Sequence, residues 1–360
     1  MAFYLTSQIK IGDYENIKPN KVSWKTDVNS FVDSCIITLP RKTHLVNEFP
    51  DQTEDLGGKK IYQFKEGDKV SVLLGYNKRF HKRFEGFVRN VKMGIPVELE
   101  CEGYGYQLYD IIFNKTYSTV TVKQLLTDLT AGTEIILSPE MADIPLKNVR
   151  FKNATGIQVL EYLKKECQLA VYFNFNELFV GTLFGKVQKH VKVKIGWNTV
   201  KDDDFQKRKV DKNVKIVVRE KDKRGEVTKT KNNLKKTDEE KKRDRIAREK
   251  KRQQNAQNRI VRKYDDQKEV KIKAGIPAKL VQEIVNRLQL KENYAGYEGS
   301  LQLFLEPHVD KGMVLEVNGG MYHEKTGDYF IESISGEYGM SGGRQTVNLG
   351  FLWNGNTGTN

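Results

Sequence analysis

The chain has 360 residues, 38% of them hydrophobic and 10% aromatic, with 61 Lys and Arg against 47 Asp and Glu for a formal net charge of +14. That length supports two or three domains with real cores, and no apolar run reaches the length of a membrane span, so a membrane-embedded chain is not expected. The charge is concentrated: residues 231–263 hold fourteen Lys or Arg against five Asp or Glu, which leaves the remainder ordinary for its size and argues against a nucleic-acid-binding surface spread over the whole chain.

The opening MAFYLTSQIK has neither a charged n-region nor an apolar h-region, so no signal peptide is expected. Residues 1–112 then read as strands at Val22–Trp24, Phe31–Leu39, Lys69–Tyr76, Phe84–Val91 and Val97–Cys101, separated by Asp, Asn, Gly and Pro turns. That is an all-β unit, a barrel or a sandwich. At Thr119 the period changes. In TVKQLLTDLTAG, Val122, Leu125, Leu126 and Leu129 recur at helical spacing, with Thr121 as N-cap, Gln124 reciprocating three residues on and Gly132 as the stop. TGIQVLEYLKKECQL repeats the device with Thr155 and Gln158, and its apolar face is Val159, Leu160, Leu163 and Cys167. A strand at Glu134–Leu137 and a tight hairpin in AVYFNFNELFVG complete a small α/β domain over 113–188.

Strands return at HVKVKIG, KNVKIVVRE and VRKYDDQKEVKIKAG, with the basic segment between the last two. Within it, Asp238–Arg259 has no apolar face beyond Ile246 and Ala247, so it reads as an insertion in a β-hairpin, flexible or a solvated helix. An amphipathic helix follows Pro277 over 278–290, with Val281, Ile284, Val285 and Leu288 inward, and strands fill 299–353. Residues 66–104 and 310–351 share one grammar: a glycine, an alternating strand, a polar hairpin, an aromatic-led strand, a glycine-containing loop and a last alternating strand. They suggest a duplicated β-unit flanking the α/β domain. In GDYFIESISGEYGMSGGRQTVNLGF, Gly336, Gly339, Gly342 and Gly343 are expected to supply a loop with positive φ between two half-buried strands.

Candidate chemistry is sparse. Cys35, Cys101 and Cys167 are far apart, with no CxxC or Cys/His ligand spacing, and read as buried reduced thiols of a protein made in the cytoplasm. Asp202-Asp203-Asp204 lacks the glycine turn and distal Glu of a calcium loop, and His323-Glu324 lacks a second His or Cys, so these are a polar turn and a hairpin tip. Gly336–Gly343 precedes a strand and not a helix, which removes a dinucleotide loop. No catalytic, cofactor-binding or metal-binding residue is therefore assigned, and no cofactor is expected. The candidate electrostatic contact segment is Lys241, Lys242, Arg243, Arg245, Arg248, Lys250, Lys251 and Arg252. Such runs are usually solvated excursions, and contact with DNA, an acidic neighbouring protein or a bacterial envelope is the functional alternative.

In order along the chain, several stretches resemble the tail hub family of phages and contractile injection machines, of the late control D and T4 baseplate-hub type. They are RFEGFVRNVKMGIPVELECEGY, LKNVRFKNATGIQVLEYLKK with the FVG hairpin after it, IGWNTVKDDDFQKRKV, and YEGSLQLFLEPHVDKGMVLEV with GDYFIESISGEYGMSGGRQTVNLG. The resemblance implies an α+β, β-rich fold with two similar tube-type β-barrel domains, 1–112 and 189–355, around the small α/β insert domain 113–188, and with a C-terminal β region. The charged insertion 231–263 and the helix 278–290 then belong to the second barrel. It further implies a non-enzymatic homotrimer whose six barrels form a ring joining a sixfold tail tube to a threefold spike. The partners implied are the tail tube protein, a separate central spike protein and a tape measure protein. DNA or effector would pass transiently through the channel, with no stable membrane anchor, in a virion or injection particle assembled in the bacterial cytoplasm. The chain departs from that pattern in its long basic insertion and in carrying no fused spike or lysozyme domain. The alternatives from other classes are a nucleic-acid-binding module using 231–263 and a tail-associated peptidoglycan hydrolase.

Overall fold

Period-2 alternation builds the first unit of the computed structural model, which describes residues 4–40, 64–182, 189–202, 204–208, 214–221, 227–228, 266–273 and 275–353. Its strands are β1 (Leu5–Ile11), β2 (Lys21–Asp27), β3 (Ser34–Leu39), β4 (Lys69–Tyr76), β5 (Arg79–Lys92) and β6 (Val97–Gly103). Alternate side chains, among them Ile9, Ile11, Val22, Trp24, Ile37, Leu39, Val70, Val72 and Leu74, fill one core. β4 and β5 meet in a two-residue turn in which Asn77 and Lys78 both take positive φ, the geometry that matches the twist of antiparallel strands.

The middle of the chain contains β7 (Ile112–Thr121), α1 (Val122–Thr130), β8 (Ile136–Leu137), β9 (Pro145–Thr155), α2 (Gly156–Lys165), β10 (Ala170–Asn174) and β11 (Glu177–Gly181). Both helices start where the sequence places their caps. The Gln124 amide donates to Thr121 Oγ1 at 3.2 Å, but the complete reciprocal box forms only at α2, where Gln158 N donates to Thr155 Oγ1 and Thr155 N to Gln158 Oε1. Leu125, Leu126, Leu160 and Leu163 are fully buried.

After β12 (His190–Lys194), β13 (Thr199–Lys201) and β14 (Gln206–Lys207) come β15 (Val214–Lys221), β16 (Val227–Thr228), β17 (Asp266–Lys273) and α3 (Ala278–Asn293). The expected hairpin around the basic segment is corrected here. β15 and β17 pair in parallel, from Val214↔Asp266 to Lys221↔Lys273, and the antiparallel partner of β15 is β16. Parallel neighbours need a crossover connection, so the chain from Lys221 to Asp266, which includes β16, must return to the end at which β15 starts before β17 begins. Ile272, Ile276 and Ile284 share the core of α1 and α2, and Arg287 Nη2 donates to Gln168 O at 2.9 Å. Strand β17 and most of helix α3 thus pack with the middle of the chain, while Leu290 near the end of α3 reaches the cluster of Val314, Phe330, Phe351 and Trp353 in the last strands.

The chain closes with β18 (Tyr297–Phe304), β19 (Val314–Asn318), β20 (Gly327–Gly339) and β21 (Gly342–Leu352). These strands join the first unit in one 13-stranded sheet of order β1-β4-β5-β6-β3-β2-β20-β21-β18-β13, with β19 on β20, β12 on β19 and β14 on β18. The architecture is therefore β-rich, a strongly curled half-barrel sheet with few helices. The two halves keep separate cores on the same side of the pleat.

The expected echo between 66–104 and 310–351 extends to individual hydrogen bonds. Gly67 and Gly312 both take positive φ. Gly67 N donates to Val88 O and Val88 N to Asp68 O; likewise Gly312 N donates to Ile331 O and Ile331 N to Met313 O. A bulge falls between Val88 and Asn90 and again between Ile331 and Ser333. The order β4-β5-β6-β3-β2 recurs as β19-β20-β21-β18-β13, so Lys92 corresponds to Ser335, Ile37 to Leu301, and Trp24 to Phe205. The copies differ at their outer strand, since β1 runs antiparallel to β4 and β12 parallel to β19.

The expected glycine loop is also corrected. β20 continues to Gly339, which pairs with Gly342 around the two-residue turn Met340-Ser341, and of the four glycines only Gly342 has positive φ. Gly336 lies inside the strand for a packing reason: a Cβ there would sit 2.0 Å from Trp24 Cζ2.

Candidate functional site

Joining the two halves edge to edge creates one continuous face. β2 pairs with β20 from Lys21↔Gly339 to Asp27↔Ser333. Opposite the buried residues of these strands lie Ser34 and Ile36 on β3, Ser23 and Lys25 on β2, Ser335 and Glu337 on β20, Arg344 and Thr346 on β21, and Gln302 on β18. Together with Trp24 and Gly336 they line an open concavity of about 550 Å³. Toward the first half the face continues through Glu98, Glu100 and Glu102 of β6 and Asn90 and Lys92 of β5. Cations and anions are interleaved: Lys21 Nζ stands 3.0 Å from Glu337 Oε1, and Lys92 and Asn90 hold the Glu100 carboxyl below its ordinary pKa by hydrogen bonding. The remaining positions are mostly small neutral polar side chains. Such a face is wetted and carries no field of one sign.

Behind the junction, on its core side, buried polar groups tie the halves together. Arg83 of β5, 3% exposed, donates through Nη1 to Gln345 Oε1 of β21 at 3.0 Å and through Nη2 to Leu305 O. Gln345 in turn donates to Phe304 O and Pro307 O, both at 2.7 Å. Burial lowers the Arg83 pKa to about 10, against the raising effect of Asp310, Glu306 and Tyr76. Lys311 Nζ donates to the buried Asp33 carboxylate, whose pKa burial raises despite that cation. A buried pair is weak evidence for net stability, but each partner makes loss of the other expensive.

Catalytic groupings do not assemble among the described residues. No cluster of three or more His, Cys, Asp or Glu is placed to hold a metal ion. Burial pushes the Cys101 and Cys167 thiols up to about 12 and the Cys35 thiol well above its ordinary value, which suppresses thiolate chemistry. Asp202 pairs with Lys325 at 2.8 Å, Asp204 accepts from Ser300 Oγ at 3.4 Å, and Asp203 lies outside the described residues. His323 and Glu324 form a 3-10 turn at the β19–β20 tip. Lys241, Lys242, Arg243, Arg245, Arg248, Lys250, Lys251 and Arg252 lie outside the described residues with the whole of 231–263. Sequence reasoning missed the polar face because it followed only the apolar half of each alternation. The signal was the other half, the Ser, Thr and Asn of KVSWK, SCIIT and RQTVN.

No protein-family model and no curated sequence matches the chain. Solved structures do. The tail protein of Neisseria meningitidis MC58 aligns with TM-score 0.58 at 12% identity over 97% of this chain and 98% of its own. The 43 kDa tail protein of prophage MuSo2 from Shewanella oneidensis aligns with TM-score 0.58 at 11% identity, covering 97% and 98%. An Escherichia coli protein described as a component of the type VI secretion system, with structural similarity to T4 tail proteins, aligns with TM-score 0.55 at 8% identity, covering 96% and 77%. The class these define is a fold, that of phage tail and baseplate-like proteins, and this chain has it along nearly its full length.

Proposed function

We propose that this protein is a structural subunit of a phage tail or related injection machine, a hub that works by shape and interface instead of catalysis. Three chains would alternate their two β-units around one axis, closing the six half-barrels into a tube-like ring, with the polar face toward the channel. The single observation that carries this reading is the edge-to-edge joining of two units of the same strand order through β2 and β20. One chain already contains one step of a ring. The channel lining fits passage without capture, because DNA retention needs phosphate-neutralising cations in excess and this face interleaves its charges. A tail tube protein on the sixfold side, a separate spike on the threefold side and a tape measure protein are the partners in this reading, with DNA or effector in transit. The location would be the virion or injection particle.

Native mass spectrometry of the purified chain tests the assembly, and a cryo-EM reconstruction tests its arrangement. A closed trimer with both units in the ring is expected. A strict monomer with salt-sensitive DNA affinity would refute the hub and favour nucleic-acid binding through 231–263. Clearing of purified cell wall would refute a non-enzymatic role.

A further inference from the structure

From the internal repeat we infer that strand β14, continuing from β13, of one chain pairs with the β5 edge at Asn90–Lys92 of a second copy, as β2 pairs with β20 inside each chain. The inference rests on the ring reading above and deepens it by naming the strands that meet.

Consider β20 first. One of its edges carries β21; the other carries β19 as far as Phe330 and, past the bulge, β2 along Ser333–Gly339. β5 is its counterpart. One edge carries β6; the other carries β4 as far as Phe87, with Val88 still bonded to Asp68. Past the equivalent bulge, Asn90, Val91 and Lys92 have no strand on that edge among the described residues. The acceptor position that β2 fills in the second unit is thus open in the first.

The donor is defined by the same correspondence. β13 and β14 lie on β18 as β2 lies on β3, and β13 stands at the end of the sheet order. Lys201 takes the place of Lys21, Gln206 that of Lys25 and Lys207 that of Thr26, with one extra residue in the turn between. Because Lys25 faces Ser335 and Thr26 faces Ile334 within the chain, Gln206 should face Lys92 and Lys207 should face Val91 between chains. Charge agrees on the polar face, where Lys201, the counterpart of Lys21, lies on the donor and Glu98, Glu100 and Glu102 stand on the strand next to the acceptor. Strand addition of this type supplies backbone hydrogen bonds along a ready edge. The two surfaces differ, so the contact is head to tail and generates a ring when the rotation closes. Exposed Met93 and Ile95 just beyond the acceptor would be covered by the incoming chain.

Two paired-cysteine variants test the register, Lys207→Cys with Val91→Cys and Gln206→Cys with Lys92→Cys. Directly opposed antiparallel residues alternate between wide and close pairs about 5.5 and 4.5 Å apart at Cα, so one of the two pairs falls at the close spacing, within disulfide range. Mild oxidation should give covalent dimers and trimers on a non-reducing gel, whereas each single variant should give none, since Cys35, Cys101 and Cys167 are buried. Mixing a Lys207→Cys chain with a Val91→Cys chain should give dimers alone. In the unsubstituted protein, amide exchange at Asn90–Lys92 should be slow in the oligomer, which checks the interface without any variant. An oligomer by native mass spectrometry with fast exchange at these amides and no cross-link from either pair overturns the strand assignment and leaves the ring standing. A monomer at every concentration overturns both.

Discussion

Replacing Gly336 by Ala probes the β2–β20 junction through a single methyl group. In an open strand the change should stabilise, because glycine is worse than alanine in a strand by roughly 0.5–1 kcal/mol. Here the new Cβ would lie 2.0 Å from Trp24 Cζ2, 2.3 Å from Cη2 and 2.4 Å from Cε2. Carbon–carbon contact is favourable near 3.5–4.0 Å, so the indole must retreat by about 1.5 Å. It has little room: Trp24 is 4% exposed, within a core that includes Val22 and Ile37, and the Arg83 guanidinium stands 5.9 Å from its ring. Overpacking of this kind costs about 1–3 kcal/mol, which reverses the sign expected for a free strand. Trp24→Phe alone should destabilise by leaving a void, and the double variant should recover part of both losses. Thermal melts followed by circular dichroism and by buried-tryptophan fluorescence supply the four corners of the cycle. A neutral or stabilising Gly336→Ala, or strictly additive effects in the double variant, would refute the packing argument and the Trp24↔Gly336 register with it.

Three other tests address separate parts of the molecule. Lys311→Met and Asp33→Asn should each destabilise by about 3–5 kcal/mol as measured by denaturant unfolding, while replacing both with apolar residues of similar volume should restore most of the loss; small single effects would show the pair to be solvated. Since burial raises the Asp33 pKa in the folded state, the folded chain keeps this proton at higher pH than the unfolded chain. Its contribution to stability should therefore fall as pH rises from about 4 through that raised value, and the slope should vanish in Asp33→Asn. Leu125→Ala and Leu160→Ala should each cost about 2–5 kcal/mol, and melts unchanged by both would contradict the burial of the two helix faces. Deleting 237–257 with a short Gly/Ser join should leave cooperative melting intact, because loop-closure entropy changes by only about 0.6 kcal/mol per doubling of length. Joining Thr228 to Asp266 through two residues should abolish it, and if both deletions melt alike the parallel pairing is wrong.

Sequence patterning made the strongly alternating strands legible, together with both helix caps and the duplicated meander. Each of those signals is local, a period or a side chain answering its own backbone. β7 and β9 escaped notice because most of their residues are exposed, so no apolar rhythm marks them. The pairing of β15 with β17 escaped for another reason. Two alternating strands on either side of an insertion look the same whether they run parallel or antiparallel, and only tertiary packing against α3 distinguishes them. At the candidate site, the chemistry of the polar face was present in the sequence, but its continuity was not: Ser23 and Glu337 are over three hundred positions apart and become neighbours only when β2 meets β20.

The parallel pairing of β15 and β17 also bears on the basic segment. Thr228 lies beside Glu220, and Asp266 lies beside Val214 on the other side of the same strand. At about 3.3 Å per residue along a strand and 4.8 Å between strands, the two anchor points are roughly 20 Å apart. A chain pinned at both ends cannot wander like a tail. Stretched to its limit, a chain of the length between Thr228 and Asp266 reaches roughly 60 Å from such anchors. The cationic residues between these two points are thus tethered to the chain from both sides, at strands that the structure fixes. In the threefold ring proposed above there would be three such tethers at fixed spacing, so weak single contacts to an anionic surface would sum to avidity.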